Sequence, residues 1–191
     1  MKRNLIIGLA LSVLLLPGCL VRSLYPWLTE DSLVTDVCIN GLWHDDSAET
    51  SVFFVDSEPD GHYKILFVGS GNRCHNFVGA LYKLDDTYYL MARAPEWSGI
   101  NEIVNQPCHM LFKVDVTEDI IKLYDIDKKA FKKLSVKFNL NVFEGLSDEA
   151  PPLLLSKTAD IVPVIQGNSG EKRLFSNKPV YSFKKFKGKQ D

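Results

Sequence analysis

The chain is expected to be mainly β with a minor α component: an antiparallel meander closing into a small barrel or sandwich, with one amphipathic helix packed against it. Three observations predict this. Short runs rich in β-branched and aromatic residues follow one another from residue 50 to residue 125. Turn-forming clusters separate them: Glu58-Pro59-Asp60-Gly61, Gly69-Ser70-Gly71-Asn72, Asp85-Asp86 and Thr117-Glu118-Asp119. Only one later segment carries a firm helical repeat.

The expected strands are 50–56 (TSVFFVD), 63–69 (YKILFVG), 75–84 (HNFVGALYKL), 87–93 (TYYLMAR), 108–116, 120–125 and 180–185 (VYSFKK). In 108–116, Met110, Phe112, Val114 and Val116 share one face, while His109, Leu111, Lys113 and Asp115 share the other. That pattern predicts one wet side. Residues 63–68 are apolar on both sides, with Tyr63, Ile65 and Phe67 opposite Leu66 and Val68, which predicts a cover over that strand's back. The helix follows in KKAFKKLSVKF, with Asp127 as N-cap and Ile126 and Phe131 placed for a hydrophobic staple. Phe131, Leu134 and Phe138 form its apolar stripe. Residues 158–166 (TADIVPVIQ) are ambiguous: Thr158 and Gly167 suit the ends of a helix, but Pro163 predicts a late start or a kink.

The N-terminus reads as an address. Lys2 and Arg3 precede an uncharged, predominantly apolar run of twelve residues, 5–16. A helix of that length spans roughly 18 Å, short of the ~30 Å hydrocarbon core, so it reads as a signal and not as a membrane span. Leu16-Pro17-Gly18-Cys19 then resembles the bacterial lipoprotein signal, whose cleavage leaves the cysteine first and acylated, palmitate being a usual chain. Leu16 and Gly18 fit that pattern, and Pro17 departs from it. The resemblance implies a signal peptide over 1–18, lipidation at Cys19, a tether over 19–40 and one β-rich domain over 41–191. It further implies membrane attachment through Cys19 in the bacterial envelope. Leu20, in place of an aspartate, favours the outer membrane. In the tether, Leu24, Tyr25, Trp27 and Leu28 are expected to pack on the domain or lie at the lipid interface.

Removing residues 1–18 leaves 173 residues, 20 of them basic and 24 acidic. This is one domain's length, and its mildly acidic balance disfavours nucleic acid as a partner. The basic cluster Lys184, Lys185, Lys187 and Lys189 is expected to be a solvated end. Cys38, Cys74 and Cys108 allow one disulfide or none, and none stands in C-x-x-C spacing.

Gly41-Leu42-Trp43 is similar to the G-x-W opening of lipocalins, in which the tryptophan plugs the closed end of a barrel and meets an arginine from a late strand. This chain has no arginine after Arg173. A wider likeness, to a group of small uncharacterised bacterial lipoproteins, rests on Cys19, Ser23 to Pro26, Leu33 to Asp36, Gly41, Trp43, Pro107, His109, Leu123 and Asp127. Both resemblances imply an anchored, lipocalin-like β-domain.

Two functions follow as expectations. The barrel would hold a small apolar or amphipathic molecule in a pocket lined by Trp43, Phe54, Phe67, Phe77, Tyr88, His109 and Phe112. Alternatively the protein contacts another envelope protein through loop 94–106 (APEWSGINEIVNQ), with Trp97 and Ile100 as anchors, or through a sheet edge. Catalysis, cofactors and metals are not expected. No G-x-S-x-G, P-loop, G-x-G-x-x-G or H-E-x-x-H motif occurs. Neighbours on a strand diverge, so His44-Asp45-Asp46, Cys74-His75 and Cys108-His109 make no site by adjacency alone.

Overall fold

The computed structural model describes residues 20–35, 37, 39–45, 51–69, 73–95, 108–144, 151–168 and 174–187. Its strands and helices are, in chain order, β1 (Arg22–Ser23), β2 (Gly41–Asp45), β3 (Val52–Ser57), β4 (Tyr63–Gly69), β5 (Arg73–Leu84), β6 (Thr87–Arg93), β7 (His109–Val116), β8 (Ile120–Tyr124), α1 (Lys128–Lys137), β9 (Val142–Phe143), β10 (Leu153–Leu154), α2 (Thr158–Gln166) and β11 (Tyr181–Lys185). The expected meander is present, and Gly41-Leu42-Trp43 is itself part of a strand.

Eight strands pair antiparallel in the order β6-β5-β4-β3-β2-β11-β8-β7, and β6 also pairs with β7. The sheet therefore closes into a barrel, which removes its edges. Where β8 no longer accompanies β7, β1 pairs with β7 at His109 and Met110. A small extension, β1-β10-β9, grows outward from there. Local turns set the hairpins. Asp85 adopts φ 52°, a left-handed conformation that a short polar side chain tolerates. Gly61 adopts φ 85°, and a Cβ there would stand 2.7 Å from Thr35 Cγ2.

Alternation divides the apolar residues into two cores. Trp43, Phe53, Val55, Ile65, Leu81, Leu90, Phe112, Ile121 and Phe183 fill the barrel interior. Outside, Ala80, Tyr82, Tyr89, Met91 and Leu111 on β5–β7 form a second core with Trp27, Leu28, Phe131, Ile161 and Ile165. The cover predicted for the back of β4 thus lies over β5–β7, while Leu66 and Val68 stay half-exposed. The reason is connectivity, because the covering segments leave the barrel next to β7.

The described residues between 20 and 40 belong to this outer layer and to the barrel's end, and Trp27 and Leu28 pack on the domain, one of the two placements expected of them. The Trp27 indole N–H donates to the His109 carbonyl at 3.1 Å, and its ring meets Phe131 edge-on at 6.2 Å. Leu33 bridges to Tyr82, and Val34 N–H donates to the Leu81 carbonyl. Val34, Val37 and Ile39 then enter the interior core. Tyr63 hydroxyl donates to the Val37 carbonyl at 2.9 Å.

Helix α1 starts as its cap predicts, with Ala130 N–H donating to Asp127 Oδ1 at 2.8 Å, and Ile126 and Phe131 are both buried. Phe138 is the C-cap just past Lys137 and stays exposed. Residues 158–166 do form a helix, with Pro163 inside it. Proline removes one donor there, and burial of Ile161, Val164 and Ile165 offsets the loss. Thr158 does not cap, because its hydroxyl donates to the Pro26 carbonyl at 2.6 Å and ties α2 to the N-terminal segment. Among the described residues no helix is long and apolar enough to cross a membrane.

Candidate functional site

The barrel interior is occupied by its own side chains. Phe183 is fully buried and stacks on Phe53 at 5.0 Å and on Tyr181 at 5.6 Å, with Phe67 edge-on at 6.4 Å. The Trp43 indole N–H donates to the Ile39 carbonyl at 2.9 Å, and Lys185 Nζ lies 5.3 Å from its ring centroid. A lysine from the last strand thus stands over the tryptophan where the lipocalin resemblance implies an arginine. Burial with this cation over it is a normal aromatic environment.

Of the seven residues expected to line a pocket, Trp43 and Phe112 lie within the interior core, and Phe67, Phe77 and Tyr88 pack against it. Phe54 does not join them. It alternates with the inward Phe53 and Val55, and it is 42% exposed on the outer face. His109 is also outward, because it pairs with Arg93 while Met110 and Phe112 turn in. Two clefts among the described residues are likewise not enclosed in the barrel. One, of about 250 Å³, lies at the rim between Asp86–Tyr88 and Lys113–Val116.

The other is an outer groove of about 200 Å³ between β5–β7 and the Pro26–Glu30 segment, lined by His62, Tyr82, Arg93 and His109. Burial, and then the charge of Glu30, pushes the Tyr82 phenol up to about 12, so it stays a neutral donor. Burial, and then the Arg93 guanidinium, lowers the His109 pKa below its ordinary value of 6.5. His109 Nδ1 is buried without a hydrogen-bond partner among the described residues. The neutral ring is therefore the folded form. Unfolding lets the ring take up a proton at its ordinary pKa, so its contribution is complete above pH 6.5 and is lost as pH falls through 6.5 towards the lower folded value. Urea midpoints are expected to fall from pH 7.5 to pH 5.5, and His109→Asn is expected to shrink that fall. An equal fall in both proteins contradicts this account.

Other reactive side chains are dispersed. β6 separates β5 from β7 by two strand spacings, about 10 Å, so neither Cys74 with His109 nor Cys108 with His75 forms a nucleophile and base. Cys74 is exposed, Cys108 half-buried, and the two are not joined in a disulfide. His44 is exposed, and its Nδ1 lies 3.4 Å from the Asp45 carbonyl oxygen. No group of three His, Cys, Asp or Glu among the described residues is placed to hold a metal. Lys184 and Lys187 are exposed, as expected of a solvated end, but Lys184 and Lys185 belong to β11 and Lys187 pairs with Asp119 at 3.0 Å. Cys19, Cys38, Asp46, Lys189 and residues 96–106 of the expected contact loop lie outside the described residues.

The outer face of β2–β4 holds a feature that local sequence reading missed. Leu42 pairs with Phe54, Phe54 pairs with Leu66, and Phe186 N–H donates to the Leu42 carbonyl at 2.8 Å. Cross-strand partners share a face, so Phe186, Leu42, Phe54 and Leu66 form one apolar row. Phe186 is 58% exposed and Leu42 40%. At 4.7–4.9 Å per strand the row is roughly 15–20 Å long. On one side Lys184 and His44 border Phe186 and Leu42, while Val52 and Val68 continue the apolar face beside Phe54 and Leu66; on the other side stand Asp56 and Lys64. An apolar centre with charged residues at its margins is the anatomy of a contact surface.

No family model, curated protein or solved structure matches the chain.

Proposed function

We propose that the protein is a bacterial envelope lipoprotein, anchored through Cys19, that docks another envelope protein on the outer face of β2–β4. The observation that carries the docking reading is the row Phe186–Leu42–Phe54–Leu66, apolar and open on a face no other part of the described chain covers. The aromatic packing inside the barrel supports the same choice over carriage of an apolar ligand, since side chains that fill a small barrel compete with a ligand for its interior. Anchoring is supported by Leu16-Pro17-Gly18-Cys19 after the apolar run. Closure leaves β9 as the free sheet edge, only two residues long, so the face is a better contact than the edge.

Phe54→Asp is the direct test. At an exposed position it is expected to change folding stability by under about 1 kcal/mol, while loss of a contact hot spot weakens binding by about 2 kcal/mol or more, roughly thirtyfold. A photo-crosslinking residue at position 44, on the rim, should give one discrete adduct in cells, abolished by Phe54→Asp. An adduct of twice the chain's mass reassigns the face to self-association. No adduct, together with saturable one-to-one binding of a fluorescent fatty acid, replaces docking with carriage.

A further inference from the structure

We infer that the face of the β1-β10-β9 sheet carrying Arg22, Leu153 and Phe143 rests on the lipid surface into which Cys19 is anchored; this rests on the lipidation proposed above. Consecutive Cα atoms are 3.8 Å apart, so Cys19 stands directly beside Leu20. Leu20 packs against the interior core, Val21 is buried, and β1 begins at Arg22. No linker separates the acylated residue from the fold. A flexible linker of n residues would let the domain range over about 5–6 Å × √n from its anchor; with n at zero, the surface around β1 is held against the headgroups.

Alternation selects the face. Val21 and Ser23 point into the outer core, which leaves exposed Arg22 and half-buried Leu24 on the opposite side. Arg22 pairs with Leu153, and Leu153 pairs with Phe143, which is 53% exposed. Leu155, two residues beyond Leu153, shares the face and is also exposed. Two strand spacings, about 10 Å, thus carry an apolar strip from the anchor strand to the sheet's last strand. Phe and Leu partition into the boundary between headgroups and acyl chains, while an arginine keeps its charge at the phosphates. Charge and apolar pattern therefore fit a phospholipid surface. Phe54, on β3 and four places from β7 in the ring of eight strands, is distant from the anchor strand and serves as the reference position.

The test uses the full lipidated protein in vesicles of phosphatidylethanolamine and phosphatidylglycerol. Single thiols are introduced by Phe143→Cys, Leu155→Cys and, as control, Phe54→Cys. Reaction with a membrane-impermeant maleimide is read at each site by peptide mass, and each rate is divided by that of the same thiol in urea-unfolded protein. Positions 143 and 155 are expected to react at least tenfold more slowly than position 54. Equal rates in protein whose intact mass includes the acyl chains overturn the inference and leave the anchor standing. An intact mass without acyl chains overturns the anchor, and the inference with it.

Discussion

Phe183→Ala is expected to destabilise the protein by about 3–5 kcal/mol, read as a lower urea midpoint at unchanged m-value. The side chain is fully buried at the centre of an aromatic cluster, stacked on Phe53 and Tyr181 and met edge-on by Phe67. Truncation removes a large buried apolar area and leaves a void that β-strands on all sides cannot collapse into. A loss of this size is about a fifth or more of a small domain's whole stability. The void should also admit a benzene-sized apolar molecule in the variant alone, as lined, dry cavities do. A lumen kept open for a ligand behaves differently. Its lining already faces space, so the same truncation costs under about 1 kcal/mol, and apolar ligands bind the unaltered protein. A shift that small would overturn the filled-barrel account.

Cys19→Ala is expected to abolish palmitate incorporation and to lower the outer-membrane fraction of the protein at least tenfold. The basis is additive burial: each acyl methylene contributes about 0.8 kcal/mol, one chain binds only marginally, and two or more hold stably. Among the described residues no helix is long and apolar enough to cross the membrane. The strip of Leu24, Leu153, Leu155 and Phe143 would at most bind weakly and reversibly. Unchanged outer-membrane attachment, with palmitate still incorporated, would remove Cys19 from its role. It would also detach the orientation argued from β1.

Much of the fold is legible because hairpins are local. Residues 63–69 and 87–93 are strands over those same bounds, and α1 begins at its Asp127 cap. The candidate site is less legible. In β3, Val52 and Phe54 alternate with Phe53 and Val55, so both faces read as apolar. Period two shows that Phe53 and Phe54 part company, and it does not say which turns inward. Phe54 was therefore expected among the pocket residues and lies outside. His109 was a nearer miss, because the strand pattern already sets it beside Leu111 and apart from Phe112. The apolar row escaped for another reason. Phe186 and Leu42 are neighbours only through the register of β11 on β2, over a hundred residues apart in the chain.

From the sequence alone come the alternation, the turns, the cap of α1 and the hydrophobic run ending at Cys19, because each depends on neighbours within a few residues. Tertiary structure alone decided which apolar face became the interior, that Val34, Val37 and Ile39 enter the barrel core, and that a row of four side chains stays uncovered. Those outcomes depend on strand register and on where the covering helices land. Both are set by contacts between residues far apart in the chain, whose energies no local pattern contains.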